Sequence, residues 1–489
     1  MIKYRFLIIL LTFSLIPSIV TSQTSTFFTI LKYSNDIEIN CVTPVFDKNY
    51  IVTGIIKSID DDLLIAKIDT LGNYLWSKKI GYYDEISQKF TNDAGIRLLN
   101  NSADSSFLVL GTTLNGDNTV LLKYKTNGQI LWQKRYNTGF NTPTNIYTSA
   151  VKNEFIITGS YTDISDESLK RPFLIRTEKD GTLKWNKDYR YSKWTESVGN
   201  FTSLVPSDDG AYFVAGYIKQ NSSSQVTSIY LSRIDDNGNM VWDKKLDDIN
   251  TSSFHVYLLK LATNSYMLAA ASKENPNVLN IYNFDNTGTV STPVPVTLPG
   301  YTFPENLINQ KGTFVFATNT TTDTTGCYFA RVGAINNPFQ QSPIVYSKGY
   351  NYKAKYITST PDSGFIVITE NTSPDLGQKR ACIIKLNKNA KCNAQPQVSL
   401  IEEAATSVTS KVENNKIAVT NNLNALVING FKFRNSLTYQ IFDLSGKTVL
   451  SGKVFKTEPV EVSICSLPRG IYIIKVTDSY HLGFAKFIK

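Results

Sequence analysis

Four stretches decide the fold: LLIAKIDTLGNYLWSKKIG (63–81), VLLKYKTNGQILWQKRYN (120–137), PFLIRTEKDGTLKWNKDYR (172–190) and IYLSRIDDNGNMVWDKKLD (229–247). In each, a glycine stands four residues before a tryptophan: Gly72 and Trp76, Gly128 and Trp132, Gly181 and Trp185, Gly238 and Trp242. The pairs recur every 53 to 57 residues. Each stretch reads as an alternating strand, a turn, and a second strand that opens on Trp. Asn127-Gly128, Asp180-Gly181 and Asn237-Gly238 are dipeptides suited to a tight hairpin, whose backbone needs positive φ.

Upstream of every hairpin lies a short strand ending in glycine: YIVTG (50–54), FLVLG (107–111), FIITG (155–159) and YFVAG (212–216). A unit of about 50 residues with four short strands is the size of a propeller blade. Weaker copies continue the series. MLAAA (267–271), FVFAT (314–318) and FIVIT (365–369) are followed by LNIYNFDNTG (279–288), CYFARV (327–332) and ACIIKL (381–386). The expectation is an all-β chain whose residues 23–393 form a propeller of about seven blades, with six and eight as the neighbouring counts. The last unit lacks a strand after Leu386, and FFTILKYSND (27–36) stands unassigned before the first. Residues 27–34 are therefore expected to complete the last blade and close the ring, which removes exposed edges.

This tandem unit resembles the secreted β-propeller repeats of Bacteroidota surface proteins, over about residues 24–394. The resemblance speaks for architecture rather than activity.

Residues 394–415 are polar and read as a linker. Beyond them, 416–489 alternate short apolar strands with Asn, Gly and Pro turns, as a small Ig-like β-sandwich does. Tyr439-Gln-Ile-Phe-Asp443-Leu-Ser-Gly446-Lys447, Leu467-Pro468-Arg-Gly470-Ile-Tyr472 and Lys486-Phe-Ile-Lys489 resemble the type A C-terminal sorting domain of the type IX secretion system. The resemblance implies that the module engages the type IX machinery, carries the protein through the periplasm and across the outer membrane, and leaves it secreted or on the cell surface. Residues 410–489 would then address the protein without serving ligand binding or propeller stability.

The N-terminus agrees with export. Lys3 and Arg5 precede an apolar run from Phe6 to Val20, and Val20-Thr21-Ser22 suits cleavage before Gln23, so residues 1–22 read as a signal peptide. The run is short and broken by Pro17, and no other stretch is long enough to span a bilayer. Removing residues 1–22 leaves a net charge of +7 spread along the chain. Nucleic-acid binders usually concentrate theirs, so no nucleic-acid partner is expected.

Chemistry is sparse. The two histidines, His255 and His481, argue against a Ser-His-Asp triad or a His-based metal site within the propeller, and no cofactor is expected. Five cysteines (Cys41, Cys327, Cys382, Cys392, Cys465) show no zinc spacing; if a bridge forms, ring closure favours Cys41 with Cys382 or Cys392. Sialidase-type Asp boxes place Gly three residues before the aromatic, not four, and quinoprotein repeats place their Asp one residue further upstream than Asp69 or Asp235. The tryptophans are better read as plugs between blades. Five residues before each hairpin glycine stand Lys67, Lys123, Arg176 and Arg233, with Asn283 in the fifth unit and Arg331 and Lys385 at equivalent places. They would form either a basic ring for polyanions or solvent-facing positions paired to acids of neighbouring strands. Asp69-Thr70-Leu71 and Asp323-Thr324-Thr325 resemble Bacteroidota O-glycosylation sites. Three functions follow: a non-enzymatic binding module for a glycan or protein, a carbohydrate-active hydrolase or lyase with paired carboxylates, or a passive surface component.

Overall fold

The structure is a computed structural model. It describes residues 26–84, 89–101, 104–113, 118–136, 140–149, 154–162, 169–249, 256–275, 277–297, 306–310, 313–319, 327–332, 344–346, 351–372, 379–392, 394, 396–401, 414–416, 418–422, 425–429, 436–443, 447–455, 460–477 and 482–489. The expected signal peptide, both histidines, Gly446 and Asp323-Thr324-Thr325 lie outside them, as do the side chains of Arg331 and Cys327.

Strands and turns make up the described residues, with no helix among them. Six four-stranded antiparallel meanders follow one another, and a seventh sheet is built on the three-stranded meander Asn351–Ser359, Phe365–Thr372 and Lys379–Leu386. Blade 1 runs through Ile37–Pro44, Tyr50–Ile56, Asp62–Ile68 and Tyr74–Ile80, from innermost to outermost. The innermost strands of the others are Ala94–Asn101, Phe140–Thr148, Val198–Pro206, Val256–Ala262, Leu307–Gln310 and Asn351–Ser359. Each neighbours the next, and the last packs on the first. The ring is a closed seven-bladed propeller.

Closure occurs where the sequence placed it. Phe27–Lys32 is antiparallel to Lys379–Leu386, with Phe27 opposite Lys385 and Leu31 opposite Ala381. A difference appears just outside. The stretch read as a linker begins with a strand, Pro396–Leu400, that lies parallel to Phe27–Lys32 and makes blade 7 five-stranded. Ile401 donates its N–H to the Lys32 carbonyl at 2.8 Å and is buried in the core between blades 7 and 1. The N-terminal strand is thus held from both sides.

Hydrophobic cores sit between blades, because alternate residues of one strand point to opposite neighbours. Tyr50 and Val52 pack towards blade 7, Ile51 towards blade 2. A strand buried on both faces has no polar side, which explains uninterrupted runs such as FLVLG. The glycine that ends such runs answers a close approach: a methyl group at Gly54 would lie 1.9 Å from the Glu38 carbonyl oxygen, and one at Gly216 1.8 Å from that of Asn200. Both carbonyls lie just before bulges of the innermost strands.

The C-terminal module is a two-sheet sandwich. Five strands (Asn414–Lys416, Leu482–Ile488, Ile471–Thr477, Ser436–Phe442, Thr448–Phe455) form one sheet, and Ala418–Asn422, Ala425–Asn429 and Val460–Ser463 the other. Leu426, Ile441, Val462, Ile474 and Phe487 fill the space between.

Candidate functional site in the central channel

The repeated residues are spent on holding blades together. Each Gly–Trp pair is a pair in sequence only; in space, the tryptophan of one blade meets the glycine of the next. Trp76 lies beneath Gly128, Trp132 beneath Gly181, Trp185 beneath Gly238 and Trp242 beneath Gly288. All of these glycines have positive φ, and the bare Cα lets the indole ring approach. At the seam, Phe27 takes the indole's place against Gly72, whose carbonyl accepts a 2.9 Å hydrogen bond from Thr29 Oγ1.

The basic column is likewise consumed: its residues pair with acids, as one reading expected, but they are buried rather than facing solvent and form no open ring. Lys67, Lys123, Arg176 and Lys385 are buried and Arg233 is partly so. Each pairs with an acid in the turn joining the first two strands of its own blade. Lys67 meets Asp47 at 2.5 Å, Lys123 meets Asp104 at 2.5 Å, Lys385 meets Asp362 at 2.8 Å, and Arg233 meets Asp209. Arg176 contacts Glu154 at 2.6 Å and also Asp236 in the next blade's outer turn; Lys67 donates to Thr126 O in the corresponding turn of blade 2 at 2.8 Å. Burial pushes the carboxyls of Asp104, Glu154 and Asp362 up, but hydrogen bonds from Lys123, from Lys184 and Arg176, and from Lys385 outweigh it and hold them below the ordinary range. These cations are internal staples, not a ring for a polyanion. The acids escaped the sequence reading, although Asp47, Asp104, Asp209 and Asp362 each stand three residues before the aromatic that opens the second strand.

Meander geometry then separates the two faces. Turns between first and second and between third and fourth strands share the stapled face. Connections between second and third strands, and from one blade to the next, emerge on the other.

On that second face Asp62 and Asp93 interact electrostatically. Asp93 accepts the Tyr82 N–H at 2.7 Å and the Thr91 hydroxyl at 2.9 Å, and burial pushes its carboxyl up to about 7. Asp62 pairs with Lys79 at 2.7 Å. With 7% and 1% of their surfaces exposed, Asp62 and Asp93 do not form the open carboxylate pair that glycoside chemistry uses. No group of three or more His, Cys, Asp or Glu suited to a metal occurs among the described residues.

The channel wall is different. Arg97, on the innermost strand of blade 2, places its guanidinium 5.6 Å from the ring centre of Tyr356 on the innermost strand of blade 7. Between them lies blade 1, whose Asn40 carbonyl accepts from Arg97 Nη1 at 3.5 Å. Tyr147, on the innermost strand of blade 3, lies within electrostatic range of Arg97 and Tyr356 and accepts a 2.8 Å hydrogen bond from Asn145 Nδ2. Side chains from four inner strands meet only near the ring axis. Arg97, Tyr147 and Tyr356 remain partly exposed there. A small cleft lined by Glu38, Asn40, Lys355 and Glu370 opens beside them. None of these residues stood out in the sequence; the signal was the polar residues Asn40, Arg97 and Asn145 at bulges of the inner strands.

Cys41 is a fully buried thiol in no disulfide, so neither expected bridge forms. Its side chain packs towards blade 2, whereas Cys382 and Cys392 pack towards blade 6. Closure makes their blades adjacent but leaves the thiols on opposite faces of the sheets.

Most of the expected sorting residues converge. Gly470 and Lys489 exchange backbone hydrogen bonds at 3.1 and 2.9 Å. Tyr472 donates to the Pro468 carbonyl at 3.0 Å and stacks on Phe487. Lys489 Nζ donates to Cys465 O at 3.0 Å. Asp443 and Lys447 close the turn between two strands, Asp443 Oδ1 accepting the Lys447 N–H at 3.1 Å.

Residues 406–489 match the family model described as the secretion system C-terminal sorting domain. This module is a type IX sorting signal, and it marks the protein for export and for secretion or attachment at the cell surface. No curated protein matches the chain in sequence. Among solved structures, it is similar to the polysaccharide lyase Uly1, at 9% identity, a TM-score of 0.46, and coverage of 71% of this chain and 90% of that one. It is also similar to the extracellular domain of the putative hybrid two-component system BT3049 of B. thetaiotaomicron, at 11% identity and a TM-score of 0.40, covering 92% of this chain and 55% of that one. The Hadza microbial sialidase Hz136 matches at 10% identity and a TM-score of 0.40, over 66% and 74%. The propeller assignment rests on strand order and closure rather than on these likenesses. No helix among the described residues is long and apolar enough to cross a membrane.

Proposed function

We propose that this exported propeller is a non-enzymatic binding protein for an extracellular glycan or protein, and that its ligand meets the central channel and the face opposite the ion-pair staples. The carrying observation is the convergence of Arg97, Tyr147 and Tyr356 in the channel, while the repeated cations and tryptophans are committed to blade packing. A rigid ring with connections of differing length on one face suits recognition. Residues 1–22 act as a cleavable signal peptide in this reading, so that the exported chain begins at Gln23.

The test is a screen of the immobilised exported chain against glycans and extracellular proteins, with product analysis of every ligand retained. Saturable binding without turnover is the expected result. Absence of saturable binding would favour a passive surface component, and released saccharide products would favour the hydrolase or lyase alternative.

A further inference from the structure

We propose that Arg97 anchors a carboxylate site in the central channel, its guanidinium taking one carboxylate of an acidic ligand beside Tyr147 and Tyr356. The inference rests on the binding role proposed above and names the chemistry of its ligand.

A guanidinium offers five N–H donors in a fixed fork. Arg97 uses Nη1 on the carbonyls of Ile96 at 2.9 Å and Asn40 at 3.5 Å. No carboxylate among the described residues pairs with it. Arg171, Arg176 and Arg233, by contrast, are paired with Asp188, Glu154 and Asp209. A cation kept in a confined wall without a counter-charge is expensive unless something neutralises it. Its position over the Tyr356 ring limits the orientations of the fork, and a planar fork is the match for a two-oxygen acceptor.

The immediate neighbours of Arg97 are neutral; the Glu38 and Glu370 carboxylates lie in the adjoining cleft, where Glu370 pairs with Lys355 at 3.5 Å. Burial pushes the hydroxyls of Tyr147 and Tyr356 and the thiol of Cys41 up in pKa, so all three stay protonated at neutral pH beside Arg97. At Arg97 itself an incoming carboxylate therefore meets the guanidinium and protonated neighbours. Such a carboxylate comes either from an acidic saccharide or from a peptide C-terminus, and both present the same acceptor geometry.

Calorimetric titration of the exported chain with D-glucuronate and with N-acetylalanine, against glucose and N-acetylalanine amide as neutral counterparts, separates the sources. At least one acid binds and its neutral counterpart does not; glucuronate alone identifies a saccharide, N-acetylalanine alone a peptide terminus, and both the carboxylate itself. Arg97→Met weakens binding by at least about tenfold and Arg97→Lys by less, since lysine keeps the charge but loses the fork. If Arg97→Met does not fold, Arg97→Lys and Tyr356→Leu carry the same reading. Failure of both acids to bind, or affinity unchanged by these substitutions, overturns the site. Ligand binding from the wider screen that survives in Arg97→Met would remove the channel site and leave the binding role standing.

Discussion

Trp132 of blade 2 packs against Gly181 of blade 3, so closely that a methyl group on Gly181 would sit 2.7 Å from the indole Cζ3. The same pairing links Trp76 to Gly128, where the nearest atoms would be 3.4 Å away. Both glycines have positive φ, 79° and 85°. Alanine at 128 therefore meets only the backbone penalty, about 1 kcal/mol, whereas alanine at 181 must also displace an indole and costs about 2–3 kcal/mol. Denaturant unfolding of the two variants checks this; equal losses would show that the ring yields freely. Trp132→Ala combined with Gly181→Ala should lose less than the sum of the two single losses.

Arg176→Met removes the guanidinium from a carboxylate, Glu154, that is only 4% exposed. Lys184 remains on the other oxygen at 2.7 Å. The expected cost is about 3 kcal/mol, since a buried charge loses half its compensation and the tie to Asp236 in blade 4 is cut. Arg176→Met combined with Glu154→Leu should lose less than Arg176→Met alone. An additive loss in thermal unfolding would mean that the pair is not coupled.

Stability should peak on the acid side of neutrality. The carboxyls of Asp104, Glu154 and Asp362 titrate below their ordinary range, so their stabilisation is present above that range and disappears as pH falls through the folded values. Asp93 has the opposite sign. Its carboxyl is raised from 3.8 to about 7, so the folded state holds a proton the unfolded state has released, and stability falls as pH rises through that window, by up to about 4 kcal/mol. Asp93→Asn should flatten the fall in Tm between about pH 4 and pH 7. An unchanged slope would assign it to another group.

Truncation after Asn393 should weaken the ring, and truncation after Ile401 should not. The first removes the strand Pro396–Leu400 and the buried Ile401 from the outside of Phe27–Lys32, a loss of about 2–4 kcal/mol. The second removes only residues beyond that strand. Equal melting temperatures for the two truncated chains would show that the outer strand is an ornament of blade 7.

Cys41 is fully buried, and burial pushes its thiol up. It should resist alkylation in the native protein at about pH 8, where an exposed thiol reacts, and become reactive on unfolding. Rapid modification of Cys41 detected by peptide mapping would contradict the packing of blade 1 against blade 2.

Period, composition and turn chemistry were enough for the sequence to determine an all-β ring of repeats, its closure by residues 27–34, and a small terminal β-sandwich, whose sorting role came from its resemblance to a family. Those features are local: Asn127-Gly128 dictates its own turn, and the missing strand after Leu386 demands a replacement. The partners of the repeated residues were decided only by the tertiary structure. Trp76 and Gly72 are four residues apart and do not serve each other; the indole reaches Gly128, because curvature of the ring sets one blade's outer strand beneath the next blade's turn. Lys67 and Asp47 are twenty residues apart and meet because antiparallel pairing returns the chain. Arg97 and Tyr356 come together only because seven blades close on an axis. No one-dimensional pattern carries that proximity, since side-chain alternation sets which face a residue occupies and only ring closure sets what stands opposite.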